Sequence, residues 1–128
     1  MLAHLRAAYP FEGCGAFLGR GAEVSRVVPL VNQETALPKV RYAIDPKDLV
    51  RTDAEARAEG LEIIGYFHSH PDHPARPSET DRQRAADTLS DGVFHVVVSV
   101  EGGERATPTA WIFHDATNLF DPEPLDIT

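Results

Sequence analysis

The chain has one cysteine, Cys14, and one methionine and one tryptophan among its 128 residues. A single thiol excludes any disulfide within the chain. That fits a reducing compartment, so the expected location is cytoplasmic. No apolar run approaches the roughly 20 residues that a membrane-spanning helix needs. Met1 to Pro10 also lacks the charged start and apolar core of a secretory signal, so no membrane association or export is expected. Basic residues are scarce, 12 Lys and Arg against 20 Asp and Glu, for a formal net charge of −8. An acidic surface repels phosphate backbones, which argues against a nucleic-acid partner. It attracts basic protein surfaces weakly and in a salt-dependent way, although solubility alone is the simpler reason for the charge. Internal repeats, low-complexity tracts and linkers are absent.

What is present suits one soluble domain over residues 1–128: 14.0 kDa with 42% apolar residues, enough for a single core. Met1–Ala8 has Leu2, Leu5 and Ala8 on one side and reads as a short helix ended by Pro10. Cys14–Leu18 and Val24–Val31 read as strands joined by the turn Gly19-Arg-Gly21. After a polar loop, Val40–Ile44 alternates and reads as a third strand. Asp45-Pro46 combines an N-cap with a proline suited to the first helical position, and the helix it opens ends at Gly60. Leu61–Phe67 is a short β-branched and aromatic run, a buried strand closed by Pro71. A further helix opens at Ser78-Glu-Thr-Asp81, and Val93–Val100 is apolar enough for a sheet interior. Thr109–Phe113 reads as the last strand, with a loosely held polar tail from Asp115. The expected fold class is α/β, a mixed sheet flanked by helices.

The chemistry concentrates in Gly65-Tyr-Phe-His-Ser-His-Pro-Asp-His-Pro-Ala-Arg-Pro-Ser-Glu-Thr-Asp81. Its skeleton is His68-x-His70, seven residues, then Ser78-x-x-Asp81. Side chains two apart on a strand share a face, so His68 and His70 can grip one ion. Two imidazoles and one carboxylate suit Zn²⁺ and leave a fourth tetrahedral position for water. Ser78 and Asp81 have a competing structural use as a capping box, with Asp in place of the usual Glu. The two roles are compatible, because a helix start also fixes where Asp81 points. A zinc hydrolase further needs a carboxylate that is not a ligand, to move the proton of the attacking water. Glu12, in Glu12-Gly-Cys-Gly-Ala-Phe-Leu-Gly19 ahead of the first strand, is the candidate.

Taken together, E-x-C-G-x-x-x-G and the later H-S-H-P with S-x-x-D resemble the JAMM family, also called MPN+ or Mov34/PAD-1. The likeness runs over nearly the whole chain and includes His95-Val-Val-Val-Ser99. It implies a curved mixed sheet between helices, related to cytidine deaminases, and zinc metallopeptidase chemistry. His68, His70 and Asp81 match the zinc ligands, Glu12 the general base that later protonates the leaving amine, and Ser78 the oxyanion donor. Deamination itself is disfavoured, since the usual deaminase zinc pattern needs paired cysteines. The first helix is shorter than members usually show. The stretch after Asp81 leaves no room for the long insertions that clamp one ubiquitin linkage.

The chain is therefore similar to the small prokaryotic members. For these the expected partner is a ubiquitin-like or sulfur-carrier β-grasp protein, cut after its C-terminal Gly-Gly at a peptide or isopeptide bond. The alternative is a non-catalytic MPN-type binding module that keeps a residual zinc site. Cys14 reads as a small buried hydrophobe, His73 and Arg76 as surface residues of the loop, and Trp111 as core. His4, His95 and His114 have no spaced partners.

Overall fold

A computed structural model describes residues 1–39, 42–87 and 92–125. In chain order the elements are α1 (Leu2–Ala8), β1 (Cys14–Arg20), β2 (Glu23–Leu30), α2 (Pro46–Ala58), β3 (Glu62–Pro71), α3 (Glu79–Asp87), β4 (Phe94–Glu101), β5 (Arg105–His114) and β6 (Leu119–Glu123). The strands form one sheet in the order β2-β1-β3-β4-β5-β6. Only β3 and β4 run parallel among its neighbours. A parallel pair needs a crossover, and α3 lies within that connection.

The register sorts side chains onto two faces. Phe67, Ser69 and Pro71 pair with Val96, Val98 and Val100, while Tyr66, His68 and His70 pair with His95, Val97 and Ser99. On the first face Leu5 of α1 packs with Phe17, Phe67, Val96, Val98 and Val100 in the larger core cluster. On the other, Cys14, Ala16, Leu30 and Tyr42 form a second cluster, joined by Leu49 of α2 and by Tyr66. α1 and α2 thus cover opposite faces, so the histidines lie on the α2 side. The register shifts twice along β1: against β3 it skips Ile64, between Phe17↔Gly65 and Leu18↔Ile63, and against β2 it skips Ser25, between Leu18↔Arg26 and Gly19↔Val24. Such bulges bend a strand and sharpen its twist. Close packing at the β1–β3 seam demands glycine: a Cβ on Gly15 would lie 2.1 Å from Phe67 Cζ and 2.5 Å from the Val28 carbonyl oxygen.

Both helix starts behave as their residues suggest. Asp45 Oδ1 accepts from the Lys47 amide at 2.9 Å and Pro46 follows it. At α3, Ser78 Oγ accepts from the Asp81 amide at 3.0 Å and the Ser78 amide donates to Asp81 Oδ2 at 2.8 Å, a reciprocal capping box.

Two expectations need correction. Within the expected strand Val40–Ile44, residues 40 and 41 lie outside the described part, and residues 42–44 form no strand. The alternation there reflects Tyr42 and Ile44 packing at the second core cluster. Ala43 is held instead at two points: Asn32 Oδ1 accepts from its amide at 3.0 Å and the Gln33 amide donates to its carbonyl at 2.8 Å. The last strand is also longer than Thr109–Phe113, and the tail is not loose: β6 pairs with β5 from Ala110↔Glu123 to His114↔Leu119. Phe120 anchors it, 5.3 Å from the Phe113 ring and 5.1 Å from His95. Pro122 is tolerated because β6 is an edge strand. Asp91-Gly92 reads in the sequence as the turn into Val93–Val100, and Asp91 lies outside the described residues.

Candidate metal centre

β3 carries His68 and His70 on one face, and the capping box aims Asp81 back at them. His68 Nε2 and His70 Nε2 are 3.1 Å apart, and each lies 3.0 Å from Asp81 Oδ2. Three donors at these spacings fit one small cation. Tetrahedral ligands about 2.0–2.1 Å from zinc stand about 3.3 Å from one another. His70 Nδ1 donates to the Pro74 carbonyl at 2.9 Å, which leaves Nε2 with its lone pair facing the cluster. His68 is 2% exposed and its ring is stacked against Tyr42, with centroids 4.6 Å apart. Arg84 of α3 lies over the Tyr42 ring at 4.8 Å and donates to the Tyr42 carbonyl. α3 therefore supplies Asp81 and also pins the aromatic cover of His68.

Glu12 arrives from the other end of the fold. It is 4% exposed, and it offers a carboxylate oxygen within 4.8 Å of ligand atoms on both His68 and His70. Its Oε1 has no hydrogen-bond partner among the described residues. A buried acceptor left unpaired is costly unless something in the site uses it. The Glu12 backbone is well fixed: its amide donates to the Pro38 carbonyl at 2.7 Å and its carbonyl accepts from Asn32 Nδ2 at 2.8 Å.

Electrostatics divides the acids by environment. Burial pushes the Glu12 carboxyl up to about 8, against a smaller downward pull from His70. Burial opposes ionisation of Asp81 too, but hydrogen bonds from His68 and His70 outweigh it and hold that carboxyl far below its ordinary range. Burial lowers the His68 pKa. For His70 burial pulls the same way, but the bonds to Asp81 and the Pro74 carbonyl win and raise it. The two carboxyls are thus driven in opposite directions, Asp81 towards the ionised form that a metal ligand needs and Glu12 towards one that carries a proton.

Of the residues singled out by sequence, Glu12, His68, His70 and Asp81 converge. Ser78 joins them through the capping box; since Oγ there only accepts, its hydroxyl proton remains available to donate. Cys14 is fully buried and burial pushes its thiol up to about 12, so it stays protonated and is no nucleophile. His73 and Arg76 are exposed.

A family profile described as "Prokaryotic homologs of the JAB domain" matches residues 1–114. The chain belongs to the prokaryotic JAB family. Among its JAB relatives, a probable TtuB-protein conjugate cleaving protease of Thermus thermophilus is 41% identical over 83 residues, 65% of this chain and 55% of that protein. A desampylase of Haloferax volcanii is 32% identical over 103 residues, 80% of this chain and 70% of that protein. The matched part thus spans little more than half the length of the Thermus relative. A solution structure from Desulfitobacterium hafniense superimposes with TM-score 0.80 at 30% identity, covering 96% of this chain and 82% of that one. A JAB1/MPN domain protein from Archaeoglobus fulgidus shares the fold, with TM-score 0.55 at 19% identity over 87% of this chain and 79% of the other.

The sequence missed several residues of this JAB centre. Tyr42 and Arg84 are distant in sequence and carry no spaced signature. His95 has no spaced partner in the sequence, yet it is buried beside Tyr66 and Phe120, and burial brings its pKa down to about 4. With Tyr42, Tyr66 and Arg84 it lines a cleft of about 490 Å³ that reaches His68 and Asp81. The β3–β4 register sets His95 beside Tyr66, and a register across two strands leaves no spacing signal in the sequence.

Proposed function

We propose that this chain is a zinc-dependent metallopeptidase, one domain over residues 1–128. It hydrolyses the peptide or isopeptide bond that follows the C-terminal Gly-Gly of a ubiquitin-like or sulfur-carrier protein. The observation that carries this reading is the three-donor cluster, with atoms 3.0–3.1 Å apart, faced by the buried Glu12, whose Oε1 has no hydrogen-bond partner among the described residues. Membership of the JAB family and the activities named for the Thermus and Haloferax relatives support the reaction class and the kind of substrate.

His68, His70 and Asp81 would hold the ion. Zinc, when bound, polarises the scissile carbonyl and acidifies water. Glu12 takes the proton of the attacking water and delivers it to the leaving amine. Burial raises its pKa in the metal-free protein, and a cation held by His68, His70 and Asp81 would lower it. Ser78 turns its free hydroxyl proton to the developing oxyanion while Oγ keeps the helix cap. Asn32 and Pro38 hold the Glu12 backbone still during both proton transfers. No covalent enzyme intermediate is required, consistent with the protonated Cys14.

A non-catalytic module with a residual zinc would bind metal without turnover. It has no use for a buried carboxylate beside the ligands whose Oε1 has no hydrogen-bond partner among the described residues. The deciding experiment incubates zinc-loaded protein with a β-grasp carrier bearing a C-terminal extension after Gly-Gly, and reads the products by intact mass. Release of the carrier ending at Gly-Gly supports the peptidase. Stoichiometric zinc with unchanged substrate supports the binding module.

A further inference from the structure

The residue between the two histidines, Ser69, is fully buried and lies on the opposite face of β3, beside Val98 of β4. It continues the antiparallel β1–β3 register by one step, from Cys14↔His68 to Gly13. One rung is ordinary: the Ser69 amide donates to the Gly13 carbonyl at 3.0 Å. The reciprocal rung is not. The Gly13 amide donates at 2.8 Å to the Ser69 side-chain oxygen rather than to its carbonyl.

That amide belongs to the Glu12–Gly13 peptide. The carbonyl of the same peptide accepts from Asn32 Nδ2 at 2.8 Å. The peptide that carries the Glu12 side chain is thus gripped at both ends, by Asn32 on one side and Ser69 on the other. A Cβ on Gly13 would lie 2.9 Å from Leu5 Cδ2 and 3.0 Å from Ala8 Cβ, so a side chain there would press on α1. A two-ended grip fixes the peptide plane, and the plane sets the direction in which the Glu12 side chain leaves the backbone.

We infer that Ser69 is a positioning residue: its hydroxyl ties Gly13 to the strand of the two histidines and so sets the distance between the Glu12 carboxylate and the His68–His70–Asp81 cluster. This rests on the reading of Glu12 as the proton carrier. It gives Ser69 a function separate from filling the core. The spacing of base and ligands is held by one side-chain oxygen that sits between the ligands in sequence, so any shift of β3 moves both together.

The test compares Ser69→Ala with Ser69→Thr, which keeps an oxygen at the same place. It measures bound zinc, exchange of the Gly13 amide by NMR, and kcat and KM on a Gly-Gly carrier with a C-terminal extension. In Ser69→Ala, Gly13 exchange should accelerate and kcat should fall about 10- to 100-fold, the scale of an ångström-sized misplacement. KM should stay within about twofold and the zinc content should be unchanged; Ser69→Thr should restore both amide protection and kcat. Wild-type kcat despite a freely exchanging Gly13 amide overturns the inference. So does a kcat loss that simply follows lost zinc, or a Thr variant with a protected Gly13 amide and no recovered kcat. Should Ser69→Ala not fold, Ser69→Cys fills the space with a poor acceptor and carries the same comparison. Glu12→Gln run alongside separates the two readings. If it turns over, Glu12 is not the proton carrier; if it is inactive while Ser69→Ala matches the parent, only the Ser69 grip fails.

Discussion

Glu12 is one of twenty acidic residues, and what distinguishes it is a buried Oε1 with no hydrogen-bond partner among the described residues. Replacing it with glutamine keeps the shape and removes the proton carrier. Glu12→Gln should retain stoichiometric zinc and lose about 10²–10⁴ in kcat, measured by metal analysis and carrier cleavage on one sample. Asp81 differs, since its Oδ2 meets both imidazoles. Asp81→Asn or His70→Ala should lose the metal itself. Ser78 has two jobs that substitution can separate. Ser78→Ala removes the cap, costing about 1 kcal/mol, together with the hydroxyl donor. Ser78→Gly, a tolerated N-cap costing only about a few tenths of a kcal/mol, lacks the hydroxyl donor and adds no charge beside Asp81. Its melting temperature should stay close to the parent's while turnover falls by at least about a hundredfold; equal activity in the two proteins would remove Ser78 from the oxyanion site.

At the scale of elements, the site depends on a seam and an edge. The β1–β3 seam brings the Glu12 loop to the histidines and tolerates no side chain at Gly15. Gly15→Ala should fail to give folded protein, because the obstruction includes the Val28 backbone as well as Phe67. The far edge is independent of the cluster. Phe120→Ala should cost about 1–3 kcal/mol by stripping the contacts of β6 with Phe113 and His95. Zinc content should not change, which a thermal melt and metal analysis would check. The same edge explains an error in the sequence reading. Leu119 to Glu123 is short, carries two acids and a proline, and resembles a tail, because an edge strand needs ladder bonds and apolar contact on one side only.

For the whole molecule, the buried ionisable groups make stability depend on pH. In the metal-free protein Glu12 titrates near 8, raised from 4.5, so its contribution is complete below about 4.5 and is lost as pH rises through 8. His70, also raised, loses its contribution as pH climbs above 6.5. His68 and His95, both lowered, oppose this only below 6.5, where unfolding lets them take up protons. Between pH 6.5 and 8 the melting temperature of chelated protein should therefore fall, with Glu12 contributing up to about 1.4 kcal/mol per pH unit. Glu12→Gln should flatten the slope. With zinc present, activity should decline below about pH 6.5 as protonated imidazoles release the ion. Chelation should end turnover and leave most of the sheet folded, since the cores on both faces are built without the cluster.

The sequence alone determined the local parts. Strand periodicity put His68 and His70 on one face, Asp45-Pro46 and Ser78-x-x-Asp81 set two helix starts, and the spacing from His70 to Asp81 was short enough for a single loop to close. These are short-range matters, governed by backbone geometry and hydrogen bonds to near neighbours. Tertiary structure alone decided what comes from afar. The loop after β2 brings Tyr42 onto His68, α3 brings Arg84 onto Tyr42, and Ser69 with Asn32 holds the Glu12 peptide from both ends. Residues that meet only when the sheet is assembled leave no periodic trace along the chain, because burial and register, not spacing, join them.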